Sequence, residues 1–146
     1  MSEEAEPKIL VVDDDDSIRR LIRTLLGRAG FETEEAHNGE EALRMLQEKG
    51  YHAILLDLMM PVVNGFEVLD WIEEHDGSKL QCVIVTTAAT DRDISRLRRE
   101  TVFAVLRKPF DLAELVETVT RCTAGATADD ARGRDQSASG MNSGSS

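Results

Sequence analysis

The sequence lacks several features that would place it in a specialised class of protein. It has no apolar run near the roughly 18 residues that a membrane-spanning helix needs, and its acidic N-terminus lacks the apolar stretch of a signal peptide. Only 2 cysteines occur among 146 residues, and neither Cys82 nor Cys122 has a neighbour at metal-ligand or redox spacing. We therefore expect a protein of the reducing cytoplasm, without a disulfide framework, a signal peptide or a membrane anchor.

Basic residues are also scarce. The chain has 17 Lys and Arg against 28 Asp and Glu, for a formal net charge of −11. A negative electrostatic field repels polyanions, so a nucleic-acid-binding or membrane-surface domain is disfavoured. A site that binds cations remains compatible with this charge.

The composition changes after Thr123. From Ala124 to Ser146, 14 of the 23 residues are Gly, Ser or Ala, and Met141 is the only large apolar side chain. Such a segment cannot bury enough apolar surface to offset the entropy cost of ordering it. We predict a folded domain that ends at Thr123 and a disordered tail or linker over 124–146.

Within the domain, short apolar runs alternate with stretches of helical periodicity, which is typical of a parallel β-sheet with crossover helices. The predicted strands are Ile9–Val12, Glu32–Ala36, Ala53–Leu56, Val83–Val85 and Val102–Leu106. Four of them are almost entirely apolar, as expected for strands covered on both faces, and the polar Glu32–Ala36 is predicted at an edge. The sequence thus indicates an α/β fold of five strands.

Five helices are predicted from apolar residues at helical spacing. Their apolar positions are Ile18, Leu21, Ile22 and Leu25 in the first, Ala42, Leu43 and Leu46 in the second, Phe66, Leu69 and Ile72 in the third, Ile94 and Leu97 in the fourth, and Leu112, Leu115, Val116 and Val119 in the fifth. Asp111 is expected to cap the fifth helix, and Asp15 or Asp16 the first.

Polar residues follow four of the predicted strands directly. They are Asp13 to Asp16, Asp57, Thr86 with Thr87, and Arg107 with Lys108. In an open parallel sheet, ligands bind outside the carboxyl ends of the strands, so these side chains should converge there. Clustered carboxylates favour a hard divalent cation, and Mg²⁺ with a nearby lysine and hydroxyl could stabilise a transferring phosphoryl group.

The motifs ILVVDD, LLDLMMP-x3-G, VIVTTA and LRKPF occur at the ends of strands one, three, four and five. In this order and spacing they resemble the receiver domain of two-component response regulators, and the resemblance covers residues 7–123. It implies a doubly wound sheet with the flavodoxin-like strand order 2-1-3-4-5, and a cis proline at Pro109.

The resemblance also implies a role for each residue at this edge. Asp57 would accept a phosphoryl group from a sensor histidine kinase or a histidine phosphotransfer protein. The implied Mg²⁺ ligands are Asp13 through water, Asp14, Asp57 and the backbone carbonyl of Met59. Thr87 and Lys108 would act with Asp57 in catalysis, by contacting the phosphoryl group. The domain would catalyse its own phosphorylation and dephosphorylation only, and it would turn over no external substrate.

Two other functions are compatible with parts of the sequence. An acidic triplet after an apolar strand also resembles the nucleophile motif of haloacid-dehalogenase-type phosphatases, in which Asp13 would be the nucleophile. That family has a further acidic pair after another strand, and only the tail follows here. A receiver-like module that binds partners without phosphorylation is the third possibility, which the complete set of acid, hydroxyl and lysine disfavours.

A group of arginines marks a candidate surface for a downstream partner. Five arginines lie on or beside the predicted fourth helix, namely Arg92, Arg96, Arg98, Arg99 and Arg107. They mark the face of the fourth helix, fifth strand and fifth helix as a candidate surface for an unknown downstream protein, although a solvated helix face is equally compatible.

Two further expectations concern contact and switching residues. Arg19, Arg20 and Arg23 on the first helix are candidates for docking the phosphodonor. Val105 stands where many receivers have an aromatic residue that reports phosphorylation. Phe103, two residues upstream, is expected to project from the same face, where it could take that role.

Overall fold

The computed structural model describes residues 6–88, 95, 97 and 101–136, and its centre is one five-stranded parallel sheet. The strands are β1 (Lys8–Val12), β2 (Glu32–Ala36), β3 (Ala53–Asp57), β4 (Val83–Thr87) and β5 (Ala104–Arg107), in the order β2-β1-β3-β4-β5. The helices are α1 (Asp16–Arg28), α2 (Gly39–Glu48), α3 (Gly65–Asp76), a 3-10 helix (Gly77–Cys82) and a C-terminal helix (Leu112–Gln136). The predicted fold class and strand order are confirmed.

The sheet separates two apolar layers, because successive side chains of a strand point to opposite faces. Leu10, Val12 and Leu56 lie in the layer with α2 and α3. Ile9 and Leu55 lie in the layer with α1 and the C-terminal helix, on the other face of the sheet. Burial on both faces explains why these strands read as unbroken apolar runs.

Helix α1 presents a different face to the sheet from the one that its apolar periodicity predicted. Arg19, Ile22 and Leu26 are its buried residues, whereas Leu21 is 46% exposed. The predicted inward position of Leu21 is therefore wrong. Hydrophobic periodicity could not show this rotation, because one of the three inward-facing residues is charged.

Side-chain caps fix where the helices begin. The Asp15 carboxylate accepts the backbone N–H groups of Ser17 and Ile18 at the start of α1, which confirms a capping role within the run of four aspartates. The Asp111 carboxylate accepts the N–H of Ala113 at the start of the C-terminal helix, as predicted. The loops that follow β1 and β5, which carry Asp13, Asp14 and Lys108, thus each end in a fixed helix start.

The C-terminal helix continues to Gln136, whereas the sequence places the end of the domain at Thr123. Leu115, Val119 and Cys122 on this helix are buried against the sheet. The boundary at Thr123 and the tail over 124–146 stay predictions.

Two further sequence predictions concern β5 and the segment before it. Most of the predicted fourth helix lies outside the described residues, as do the arginines 92, 96, 98 and 99. Leu97 is described and is 7% exposed. Phe103 packs in the layer of the C-terminal helix and Val105 in the layer of α2 and α3, so they lie on opposite sides of the sheet. The expectation that Phe103 projects from the same face as Val105 is therefore wrong, and with it the ground for Phe103 as a substitute for the aromatic residue. Among the described residues, no helix is long and apolar enough to span a bilayer.

Candidate functional site

The candidate site lies at the carboxyl edge of the sheet, where polar residues lie at the ends of four strands or directly after them. Asp13 follows β1, Asp57 is the last residue of β3, and Thr87 is the last residue of β4. Lys108 comes directly after β5, and its backbone N–H donates to the carbonyl of Thr87 at 2.8 Å. The parallel arrangement therefore brings four residues that are distant in sequence to one edge.

Three carboxylates meet at this edge. Asp13, Asp14 and Asp57 each offer an oxygen, and these oxygens lie within 4.8 Å of one another. Asp13 and Asp57 are 1% and 3% exposed, whereas Asp14 faces solvent. Three negative charges at this distance repel one another, and a hard divalent cation with oxygen ligands would neutralise them. The donor set and its open side fit Mg²⁺, with the predicted ligands Asp13, Asp14 and Asp57 brought together.

Lys108 pairs with two of these carboxylates. Its ammonium Nζ lies 2.8 Å from Asp13 Oδ2 and 3.2 Å from Asp57 Oδ2. Burial alone would lower the pKa of Lys108, but its hydrogen bonds and charge pairing with Asp13 and Asp57 raise it above the ordinary value. Lys108 is therefore a permanent cation at neutral pH, within reach of any group bound to Asp57.

The Asp57 carboxylate is oriented by a backbone N–H group two residues further along the chain. Its Oδ1 accepts the N–H of Met59 at 3.0 Å, which leaves Oδ2 facing Lys108. Burial raises the pKa of the Asp57 carboxyl above its ordinary value, while the Met59 N–H and the Lys108 charge act in the opposite direction. The carboxylate is thus poorly solvated, which favours its reaction as a nucleophile or its coordination of a cation. The side chain of Met59 is 49% exposed.

Two hydroxyl-bearing residues end β4, and both are buried. Thr87 is 0% exposed and Thr86 is 2% exposed. Thr86 pairs in register with Asp57 of β3, and Thr87 pairs with Arg107 of β5. Because strand residues alternate between faces, these two hydroxyls leave the strand in opposite directions. The choice of Thr87 as the active hydroxyl stays a prediction.

The loop after Asp57 is closed by a glycine. The Gly65 N–H donates to the carbonyl of Leu58 at 2.9 Å. A Cβ atom at Gly65 would lie 2.5 Å from the Asp57 carbonyl oxygen and 2.6 Å from the Leu58 Cα. This close approach explains the glycine and fixes the backbone from which Asp57 projects.

Sequence reasoning missed the role of Arg19. The sequence groups Arg19 with Arg20 and Arg23 as candidates for docking the phosphodonor. Arg19 is only 4% exposed, so that expectation is wrong for it. Its Nη1 donates to the carbonyl oxygen of Asp13 at 2.7 Å. The signal that could have found it is its position three residues before Ile22 and seven before Leu26, both of which are buried.

Comparisons with known proteins show the family to which this fold belongs. A family model described as the response regulator receiver domain matches residues 9–120. The transcriptional regulatory protein SrrA of Staphylococcus aureus is 39% identical over 111 residues, which are 75% of this chain and 44% of that protein. The chain therefore spans less than half the length of the curated relatives that it matches.

Solved structures give the same result. The response regulator TrrA from Thermotoga maritima, in complex with Mg²⁺ and BeF, is 34% identical with a TM-score of 0.70, over 80% of this chain and 98% of that chain. The chemotaxis protein CheY4 of Vibrio cholerae is 32% identical with a TM-score of 0.72, over 81% of this chain and 99% of that chain. These matches give no support to a haloacid-dehalogenase-type phosphatase.

Proposed function

Because the chain belongs to the receiver domains of two-component response regulators, we propose that Asp57 accepts a phosphoryl group from a phosphohistidine donor. Members of this family are signalling domains rather than classical enzymes. The observation that carries the proposal is the contact of the Lys108 ammonium with both Asp13 and Asp57 beside a cluster of three carboxylates. A carboxylate nucleophile, an anion-binding ammonium and a candidate cation site then lie within one small region.

The proposed step transfers the phosphoryl group between two nucleophiles. An oxygen of the Asp57 carboxylate forms a bond to phosphorus, and the P–N bond of the donor's phosphohistidine breaks. The electron pair of that bond stays on the imidazole nitrogen, which then takes a proton from solvent. The product is an acyl phosphate on Asp57 and an unmodified histidine on the donor, so atoms and charges balance.

The other residues at the edge would hold the transferring group. Mg²⁺ bound by Asp13, Asp14, Asp57 and the Met59 carbonyl would neutralise negative charge on the phosphoryl oxygens. The Lys108 ammonium would leave its pairing with Asp57 and bind a phosphoryl oxygen instead, while it remains paired with Asp13. The Thr87 hydroxyl would donate to another oxygen. These roles rest on positioning and charge, which supply most of the catalysis in phosphoryl transfer.

The partners follow from this chemistry. The donor is a sensor histidine kinase or a histidine phosphotransfer protein. The readout is an unidentified downstream protein or domain at the face that includes β5 and the C-terminal helix, and the name of SrrA supports a transcriptional output in a longer protein. We expect no nucleic acid or membrane to bind through this acidic domain itself. The two cysteines form no disulfide in the described part of the chain, which is in keeping with a cytoplasmic location.

The test is to identify the modified residue. The protein is incubated with acetyl phosphate and Mg²⁺, treated with borohydride to trap the acyl phosphate, and analysed by peptide mass spectrometry. We expect modification of Asp57, loss of modification in EDTA, and no modification in Asp57→Asn. The matched control is Asp70→Asn, which changes an exposed aspartate of α3 and should leave the labelling unchanged.

The same experiment distinguishes the alternatives. Label on Asp13 with continuous release of inorganic phosphate would favour a phosphatase with Asp13 as nucleophile. The absence of label on all aspartates, in protein that binds Mg²⁺, would favour a module that works without phosphorylation. Either result would overturn the proposal for Asp57.

A further inference from the structure

Arg19 carries a permanent charge and yet is almost completely buried. It lies in the first turn of α1, with 4% of its surface exposed. A buried charge is costly unless it is paired and hydrogen-bonded, so the contacts of this guanidinium must compensate for its burial. Each of its three nitrogens has a partner: two partners lie at the two ends of the loop between β1 and α1, and the third lies on β2.

The contacts of Arg19 enclose the loop that carries the acidic residues. Nη1 donates to the carbonyl oxygen of Asp13 at 2.7 Å, at the beginning of the loop. Nη2 binds the Asp16 carboxylate at the end of the same loop. Nε binds Oε1 of Glu35 on β2 at 2.9 Å. One planar group therefore holds both ends of the loop and ties them to the neighbouring strand.

The carbonyl that Arg19 binds belongs to the peptide unit between two of the candidate Mg²⁺ ligands. It joins Asp13 to Asp14, and the carboxylates of these two residues lie within 4.8 Å of each other and of Asp57. Rotation about the Cα–C bond of Asp13 would turn this carbonyl away from Arg19 and would move the Asp14 Cα and its carboxylate relative to Asp57. The Asp15 N–H, which donates to Asp13 Oδ1 at 2.8 Å, holds the same turn from the other side.

The charge of Arg19 is balanced locally. Glu35 and Asp16 together carry two negative charges next to the guanidinium, so Arg19 adds no net positive charge near the acidic cluster. The hydrogen bond from Arg19 keeps the pKa of Glu35 below its ordinary value, so this carboxylate is charged at neutral pH. A second arginine, Arg23, binds the other oxygen of Glu35 at 2.9 Å and holds it in place.

We propose that Arg19 is a positioning residue for the cation site, which fixes the peptide unit between Asp13 and Asp14 so that their carboxylates face Asp57. This inference rests on the proposed function, since it concerns the Mg²⁺ that the function requires. Arg19 makes no contact with the cation itself and acts only through the Asp13 carbonyl. Removal of a group that orients a metal ligand typically lowers metal affinity by about 10- to 100-fold.

The experiment compares Mg²⁺ binding by calorimetry in the full chain and in Arg19→Met, with Mg²⁺ alone as the probe. We expect the dissociation constant of Arg19→Met to rise about tenfold or more. In EDTA, the Asp15 amide should exchange its hydrogen faster in Arg19→Met, because the turn that holds it to Asp13 is released. This second readout needs no bound metal.

Arg23→Met is the matched control. In the part of the chain that the structure describes, Arg23 shares Glu35 with Arg19 and also donates to Thr33 at 3.0 Å, away from the acidic loop. Both variants lose an ion pair with Glu35, so both should lose some unfolding free energy in EDTA. Only Arg19→Met should lose Mg²⁺ affinity and amide protection at Asp15.

Arg19→Lys keeps the positive charge but cannot reach three acceptors with one planar group, so it should show an intermediate loss of affinity. It also decides the question if Arg19→Met does not fold. Wild-type affinity in a folded Arg19 variant, or an equal loss in Arg23→Met, would overturn the inference. Failure of the wild-type protein to bind Mg²⁺ would instead overturn the proposed function on which it rests.

Discussion

Asp57 illustrates at the scale of one residue how this site balances stability against reactivity. It is 3% exposed, and burial raises the pKa of its carboxyl, so its negative charge destabilises the folded state. The Lys108 ammonium at 3.2 Å and the Met59 N–H at 3.0 Å recover part of this cost. A ligand that brings positive charge would recover the rest. Poorly solvated carboxylates of this kind concentrate at functional sites.

Away from the site, the pair of Tyr51 and Glu34 has a predictable dependence on pH. The Tyr51 hydroxyl donates to Glu34 Oε1 at 2.6 Å, and Lys49 Nζ lies 3.0 Å from Oε2. The hydrogen bond from Tyr51 lowers the pKa of Glu34, whereas burial, followed by the bond to Glu34, raises the pKa of Tyr51. We expect Tyr51→Phe to lower the free energy of unfolding by about 1 kcal/mol at neutral pH.

The sign of each pKa shift sets the pH window of this effect. Glu34 has a lowered pKa in the folded state, so its contribution is present above its unfolded pKa of about 4.3 and is lost as the pH falls further. Tyr51 has a raised pKa, so its contribution is present below about pH 10 and is lost as the pH rises through the folded pKa.

Urea unfolding of wild type and Tyr51→Phe from pH 3 to pH 11 would measure the difference between the two proteins. The difference should be largest between about pH 5 and 9 and should shrink on both sides. A difference that stays constant over the whole range would show that the hydrogen bond to the Glu34 carboxylate is not the source of the contribution from the Tyr51 hydroxyl.

At the scale of elements, the junction between β3 and α3 leaves no room for added volume. A Cβ atom at Gly65 would meet the backbone of Asp57 and Leu58 at 2.5 and 2.6 Å. Backbone atoms cannot move aside as a flexible side chain can. We expect Gly65→Ala to cost about 1–3 kcal/mol of unfolding free energy and to weaken Mg²⁺ binding, because Asp57 must shift.

Gly27 in α1 provides the control for this substitution. Among the described residues, a Cβ atom at Gly27 would meet no heavy atom within 4 Å. Because alanine is the better helix former, Gly27→Ala should raise the unfolding free energy by about 1 kcal/mol and leave Mg²⁺ binding unchanged. Chemical denaturation and calorimetry measure both quantities. Gly65→Ala with wild-type stability and affinity would contradict the steric reading of this junction.

The elements also show what sequence reasoning can and cannot predict. β1 and β3 were predictable because burial on both faces leaves no position for polar residues. The inward face of α1 was not, because Arg19 is inward-facing and exposed Leu21 is not. Hydrophobic periodicity places a charged residue on the solvent-facing side of a helix. The burial of Arg19 is explained only by the fold, in which Asp13, Asp16 and Glu35 supply its hydrogen-bond acceptors.

At the scale of the whole molecule, the candidate site exists only when the chain is folded. Lys108 contacts Asp13 across 95 positions and Asp57 across 51 positions. The rule that polar residues after parallel strands meet at one edge was enough to predict that these three residues converge. It could not predict that Lys108 would pair with Asp13 more closely than with Asp57, because that depends on the path of the loop after β5.

Truncation of the C-terminal helix tests where the folded domain ends. Val119 and Cys122 of the C-terminal helix are 0% and 2% exposed against the sheet, and Thr123 is 4% exposed. We expect a chain that ends after Gly125 to keep the unfolding free energy and Mg²⁺ affinity of the full chain, because the residues beyond it have the composition of a linker.

A chain that ends after Val119 lacks Cys122 and Thr123. It therefore loses buried contacts in the apolar layer that contains Leu115. It should lose about 1–3 kcal/mol of unfolding free energy, as expected for deletion of buried side chains. Urea unfolding and Mg²⁺ calorimetry of the three chains distinguish the outcomes. If the chain that ends after Gly125 loses as much stability as the shorter one, then the helix beyond Gly125 belongs to the folded domain, and the boundary at Thr123 is wrong.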